Sequence, residues 1–544
     1  MIYKQSAGVL LCLILVVSLC FHSPAVSQQR RDVLASASRE WSNPGILLIA
    51  LGDSMTHGTR NATNNYWNTA DAYLELIYQH LAAEENFFYR FYQPFLDVAG
   101  KRIQPYLTPT NLGVDGSDIF SAEGLLYWKR HGLQEGQNQV AATRLCDAFH
   151  HSQLQNNYDK VLFPISLWAG HAVSQLDALI WQLNYHPGPA WVIFWIGAND
   201  TSTATLGSGG KNPEFLPIPF EQIQSHLKPG LRYLLSFGKD QGHLSFSPYT
   251  SDNIERNLTD AADFKAQYYH LLDRLEKEVN DPHRVELMLL TLPYYPEVGY
   301  LFDASDLNFY YQRFGYVPPD IEGRVSLLTF GFIYALLKSD VSPKEIDAIF
   351  QDNLVLSTAE RRHIRARINK FNRTIKDVAL RQADSHLHLI DIGSFLNKNL
   401  LSKNGTVIDG IRFHRKWRLG NGFCLDGVHP SHTGHALIAN KIQEHLASAL
   451  GVNIKPHDLV QVNMRDPYQD QDGDGWLPGP TYAAKGLTKL LFLFRDEQEG
   501  IPGNAVIDTY ESDELWNLIS DILLEEIVDI PQIQAEARRL GLIE

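Results

Sequence analysis

The chain has 544 residues, of which 44% are hydrophobic and 20% charged, and its formal net charge is −15. That composition belongs to a folded protein and excludes a disordered or fibrous one, and the length exceeds a single compact core. The acidic balance, with no basic stripe to answer phosphates, argues against nucleic acid as a partner.

Lys4 precedes the apolar run Val9–Val17, and Ala25-Val26-Ser27 offers small residues before Gln28. This predicts a cleaved signal peptide over residues 1–27 and a secreted or periplasmic protein, with a retained signal anchor as the alternative. The run is short for a membrane span. Cys20 behind Leu19 matches a lipoprotein cleavage site poorly, so no lipid anchor is expected. No later segment is apolar enough to span a bilayer.

Gly45–Leu51 reads as a buried strand running into Gly52-Asp53-Ser54-Met55-Thr56-His57-Gly58. A serine hydroxyl there stands on a rigid support, as a nucleophile requires. Gly, Asp and Ser also build ordinary turns. Ala70–Glu84 follows, with Tyr73, Leu74, Ile77, Tyr78 and Leu81 on one helical face. An extended stretch, Gln104–Thr110, leads into Asn111-Leu112-Gly113-Val114-Asp115-Gly116-Ser117. Gly116 either lets the backbone offer its N–H to a ligand or is a plain turn glycine. Ser117–Lys129 comes next, with Asp118 as a candidate helix start. Asp147–Tyr158 and Phe163–Gly170 show no assignable pattern. Trp191–Ile196 reads as a buried parallel strand ending in Gly197-Ala198-Asn199-Asp200. Asn199 either aims its amide where Gly116 points or caps a helix.

Leu206–Tyr249 is rich in Gly, Pro and Ser and reads as irregular. Ile254–Val279 is predicted as one long amphipathic helix, feeding a strand at Val285–Leu292. Pro293–Asp320 is rich in Tyr, Phe and Pro. Its aromatics would line an acyl groove, stack on sugar rings, or simply pack within a loop. Thr358–Ala383 is a basic amphipathic helix and His386–Asp391 the next strand. Asp426-Gly427-Val428-His429-Pro430 then precedes a helix over Thr433–Leu450. This spacing lets His429 take a serine proton while Asp426 holds the ring. The alternative is a capped turn with a surface histidine. Strands alternating with helices predict a parallel sheet covered on both faces, with ligands at the strand ends.

Once the leader is removed, Cys146 and Cys424 remain, either bridged or as separate buried thiols. No Cys/His cluster has zinc-ligand spacing. In the tail, Asp470, Asp472 and Asp474 with Gly475 look like the start of a calcium loop, but Thr481 at the twelfth position rules out a complete EF-hand. Leu487–Phe494 and Leu515–Val528 are apolar or amphipathic helical stretches. Asn61, Asn257, Asn372 and Asn404 stand in glycan-acceptor patterns.

The blocks at Ser54, Gly116, Asn199 and Asp426-x-x-His429, in that order, resemble the SGNH hydrolases, also called the GDSL esterase/lipase family. The likeness covers residues 45 to about 450 as islands. Met55 stands where the family more often has Leu. The Gly-x-Ser-x-Gly elbow of α/β-hydrolases is broken by Thr56. The resemblance implies a flavodoxin-like three-layer α/β/α fold with a parallel sheet over residues 40–451. Large insertions enlarge it, and residues 452–544 form a C-terminal extension. It also implies Ser54 as nucleophile, His429 as base, Asp426 as its orienter, and the Ser54 and Gly116 N–H groups with the Asn199 amide as the oxyanion hole. No catalytic cofactor is implied, and calcium at Asp470, Asp472 and Asp474 would be structural. The expected activity is that of an exported carboxylic ester hydrolase, lipase- or lysophospholipase-like. A carbohydrate acetylesterase is second, and a non-catalytic surface protein on the same scaffold is the rival of another class. The expected partner is an ester substrate, lipid or acetylated carbohydrate, with membrane-surface contact only through that substrate. Oligomeric state is not legible.

Overall fold

The computed structural model describes residues 45–468 except 61–63, 65, 84–88, 97–101, 136–152, 207–248, 338–340, 348–349, 351–353, 382–385, 418–419, 425 and 467. The expected leader at 1–27, Cys146, the acidic loop at Asp470, Asp472 and Asp474, and both tail helices lie outside these residues.

The strands, in chain order, are β1 (Ile46–Gly52), β2 (Tyr89–Arg90), β3 (Asn111–Gly113), β4 (Ala190–Trp195), β5 (Val285–Leu290), β6 (Leu301–Phe302), β7 (Gly323–Ser326), β8 (Leu356–Ser357), β9 (Leu387–Ile390), β10 (Thr406–Ile408) and β11 (Ile411–Phe413). Six of them form the central sheet, ordered β2-β1-β4-β5-β9, with β3 joining β1 beyond β2. Every pairing in it is parallel. The apolar runs of β1 and β4 are buried along nearly their whole length, as parallel strands covered on both faces must be. Tyr73–Ala82 packs on His432–Leu450 in one helical layer. Gln175–Tyr185, Ala261–Glu278 and Thr358–Arg381 pack together in the other. The result is the expected three-layer α/β/α fold.

Register decides where the site forms. Gly52 at the end of β1 pairs with Gly113 on one side and Trp195 on the other, so β1, β3 and β4 end at the same level. The turns behind them therefore converge on one crevice, at the carboxyl edge of the sheet. Glycine is needed for this closeness. A Cβ on Gly113 would stand 2.4 Å from the His57 backbone nitrogen and 2.9 Å from the Asp53 carbonyl oxygen.

Several expectations are corrected. Residues 104–110 form turns, and the strand is the glycine block itself, Asn111–Gly113. No continuous helix fills 117–129. The Asp118 carboxylate caps Phe120 and Ser121, and a short 3-10 turn ends at Gly124, whose φ is +86°. The long helix at 254–279 is two, Ser251–Asn257 and Ala261–Glu278. Asp260 caps the second, and between them Thr259 N–H reaches the Asp200 carbonyl at 3.0 Å. The unassigned stretches contribute helices Gln153–Leu162 and Ile165–Ala169.

Most aromatics of 293–320 pack in a second core, while Tyr295 and Tyr300 belong to the main one. β6, β7 and β8 make a small antiparallel sheet, and Phe302, Tyr310, Tyr311 and Phe330 cluster there with Trp417. Phe302 stacks on Phe330 with ring centroids 4.3 Å apart. Tyr310 Oη donates to the Trp417 carbonyl at 2.6 Å. These side chains are buried in that packing.

Cys424 is buried, and Cys146, its candidate partner in a bridge, lies outside the described residues. Asn257 is buried, and the Asn372 amide both donates to and accepts from the Leu292 backbone, which leaves neither free for a glycan. The first residues of the extension belong to the hydrolase unit. Asp466 accepts from Thr433 N–H and Oγ1 at 2.7 Å each. Among the described residues no helix is long and apolar enough to cross a membrane.

Candidate active site

Ser54 opens the short helix Ser54–His57 directly behind β1. Asp53 caps it. Its carboxylate takes Met55 N–H at 2.9 Å, and its carbonyl takes the Thr56 and His57 N–H groups at 3.0 and 2.9 Å. Ser54 N–H stands at the first position of this helix, where a backbone donor has no intrahelical acceptor, so it can receive an incoming anion.

The imidazole arrives from the other end of the chain. Asp426 Oδ1 accepts Val428 and His429 N–H, each at 2.8 Å, which folds the turn back so that Oδ2 meets the ring. His429 Nδ1 lies 2.6 Å from Asp426 Oδ2, and its Nε2 lies 2.8 Å from Ser54 Oγ. With the Nδ1 proton donated to the carboxylate, Nε2 is left to accept from the serine hydroxyl. Gly427, at φ +67°, makes the turn tight, and its carbonyl accepts Tyr300 N–H at 2.8 Å. Tyr300 directly precedes β6, so the start of the small antiparallel sheet abuts the histidine loop.

Burial alone would push His429 down, but the Asp426 carboxylate outweighs it and holds the imidazole above its ordinary value. Burial likewise opposes ionisation of Asp426. His429, together with backbone N–H and the Cys424 thiol, overrides that and holds the carboxyl below its usual range. Asp53 is different. Burial dominates and raises it to about 7.

Gly116 and Asn199 lie where the ends of β3 and β4 put them. Gly116 is exposed, with φ +81°. Asn199 Nδ2 donates to the Ser117 carbonyl at 2.8 Å, and its Oδ1 accepts from Ser202 Oγ at 2.9 Å. These bonds fix the amide's orientation and leave one N–H for a ligand. Asp200 adds a second tie between the same two loops, its Oδ2 accepting Ile119 N–H at 2.9 Å. It is fully buried, and burial together with nearby Asp118 pushes it up to about 8.

The structure therefore brings Ser54, His429 and Asp426 into one hydrogen-bonded chain, at the strand edge where Gly116 and Asn199 also emerge. The sequence reading overlooked Asp115, which sits between this edge and the nucleophile turn. Asp115 carries no motif signal, because its partners Thr59 and Asn64 meet it only in the fold. Among the described residues no group of three His, Cys, Asp or Glu side chains is placed to hold a metal ion. The arrangement suits proton abstraction from a serine and attack on an acyl carbon.

The model of the GDSL-like lipase/acylhydrolase family matches residues 48–442, more than half of the chain, and the protein belongs to that family. No curated protein matches the chain.

Proposed function

Starting from membership of the GDSL-like lipase/acylhydrolase family, we propose that the protein is an exported hydrolase cleaving carboxylic esters through an acyl-enzyme on Ser54. The observation that carries the roles is the chain of contacts from Asp426 through His429 to Ser54 Oγ, at 2.6 and 2.8 Å. His429 Nε2 takes the hydroxyl proton as Oγ attacks the ester carbonyl. The resulting oxyanion accepts from the Ser54 and Gly116 N–H groups and the Asn199 amide. His429 then returns the proton to the leaving alcohol. A water molecule, deprotonated in turn by His429, releases the acid. Asp426 stabilises the imidazolium at each stage without itself taking the proton.

Lipid esters are the first choice of substrate, with acetylated carbohydrate second. The lipid reading rests on the family and not on the aromatics of 293–320, most of which are packed into the two cores. Hydrolysis of p-nitrophenyl esters from acetate to palmitate, beside Ser54→Ala, tests both levels. Loss of turnover in that variant supports the acyl-serine. A rise of kcat/KM with chain length, up to about 0.8 kcal/mol per buried methylene, supports a lipid acyl group, and a maximum at acetate supports the carbohydrate esterase. A folded wild-type protein with neither turnover nor fluorophosphonate labelling would return the non-catalytic scaffold.

A further inference from the structure

One carboxylate outside these five residues joins the nucleophile turn to the glycine block. Asp115 immediately precedes Gly116. Its Oδ1 accepts from Thr59 Oγ1 at 2.7 Å, and its Oδ2 from Asn64 Nδ2 at 3.2 Å. His57 Nδ1 lies 3.3 Å from Oδ1. All three partners come from the segment that leaves Ser54. On the far side, the Asp115 carbonyl accepts from Asn157 Nδ2 at 3.2 Å. The His57 ring is wholly buried, and its Nε2 has no partner among the described residues.

We propose that Asp115 is a positioning residue for ester hydrolysis: it clamps the Gly116 loop to the Ser54 turn and sets a second negative charge to stabilise the His429 imidazolium. This rests on the acyl-serine reading above. Two groups bond His429, Asp426 from its own turn and Ser54 from the nucleophile turn. The charges of Asp53 in that turn and of Asp115 in the glycine block also act on it, and His435 in the helix that follows lies within reach of its charge. Burial holds His435 well below its ordinary value, so it stays uncharged. Burial also raises Asp53 to about 7, which makes its charge partial at neutral pH. Asp115 is partly exposed, and although burial opposes its ionisation, its bonds from His57 and Thr59 outweigh that and keep it below the usual carboxylate range. Among the described groups whose charges act on His429, it is, besides Asp426, the carboxylate held below its usual range. Such a charge acts most when the imidazole becomes positive, so it lowers the barrier more than it strengthens substrate binding.

Asp115→Asn keeps the shape and removes the charge. The measurement is kcat and KM on a p-nitrophenyl ester across pH 5–9, with rates divided by the sites that a fluorophosphonate titrates, so unfolded molecules do not count. The expected result is a kcat lower by about tenfold with KM within about twofold. The acid limb of kcat/KM moves down by about one unit, because the imidazole loses a stabilising charge. Thr59→Val removes a hydrogen bond and leaves the charge, and its limb stays at the wild-type pH. A wild-type profile in Asp115→Asn overturns the proposal. So does an equal limb shift in Thr59→Val, which would report general loosening. Either result, with Ser54→Ala inactive, leaves the acyl-serine reading standing, whereas turnover in Ser54→Ala removes both.

Discussion

Asp426→Asn separates the orientation of the imidazole from its presence. In the native turn, Asp426 Oδ1 holds two backbone N–H groups at 2.8 Å and Oδ2 holds His429 Nδ1 at 2.6 Å. Asparagine satisfies the backbone donors with its one oxygen and so turns its NH2 towards the ring. Two donors then face each other unless the ring proton moves to Nε2, which removes the lone pair that Ser54 needs. The expected loss is about 10⁴-fold in kcat, or about 5 kcal/mol of barrier at 1.36 kcal/mol per tenfold. The pH dependence gives an independent check. His429 is held above 6.5 by Asp426 against burial, and the free enzyme works with the neutral ring. The acid limb of kcat/KM therefore sits above 6.5 in the wild type and falls in the variant. Stability follows by linkage. The raised His429 contributes fully below its unfolded value of 6.5, and its contribution is lost as pH rises through the folded value. The lowered Asp426 contributes above its unfolded value of 3.8, and its contribution is lost as pH falls through the folded value. The melting deficit of the variant is thus largest between about pH 4 and 6.5 and shrinks above it. A loss in kcat below tenfold, or an unmoved acid limb, would refute this account of the triad.

Asn199→Ala removes one oxyanion donor and the tie to Ser117, so kcat falls about 10²–10³-fold with KM little changed; an effect confined to KM would make Asn199 a binding residue. Arg415→Met tests the bond between the second core and the histidine loop. Arg415 is buried and donates to the Leu301 carbonyl at 3.0 Å and to Asp306 at 2.7 Å, and it also pairs with Asp303. Its loss leaves carboxylates without their buried partner, and urea unfolding should show about 3–5 kcal/mol of destabilisation. Asp303 is held well below the usual carboxylate range, since Ser305 and Arg415 outweigh its burial. The wild type therefore loses this contribution as pH falls towards the folded value, and the variant has less to lose. A destabilisation under about 1 kcal/mol would mean that the ion pairs do not hold the loop.

The sequence by itself determined the fold class, because strands buried on both faces must be continuous apolar runs. Ile46–Leu51 and Trp191–Ile196 announce themselves that way, and the amphipathic helices between strands leave few other ways to cover a sheet. It also singled out Ser54, Gly116, Asn199, Asp426 and His429, since each stands in a short local block whose chemistry is carried by neighbours in sequence. What sequence could not supply is whatever depends on partners far along the chain. The strand at Asn111–Gly113 is set by pairing with β1, not by its own composition. The break after Asn257 exists because Thr259 meets Asp200. The aromatics of 293–320 have the composition of a binding loop and the packing of a core, and only their contacts with Phe330 and Trp417 distinguish the two. Asp115 is the sharpest case. One carboxylate in a loop signals nothing until the fold surrounds it with Thr59, Asn64 and His57, because burial and charge proximity are properties of the tertiary structure alone.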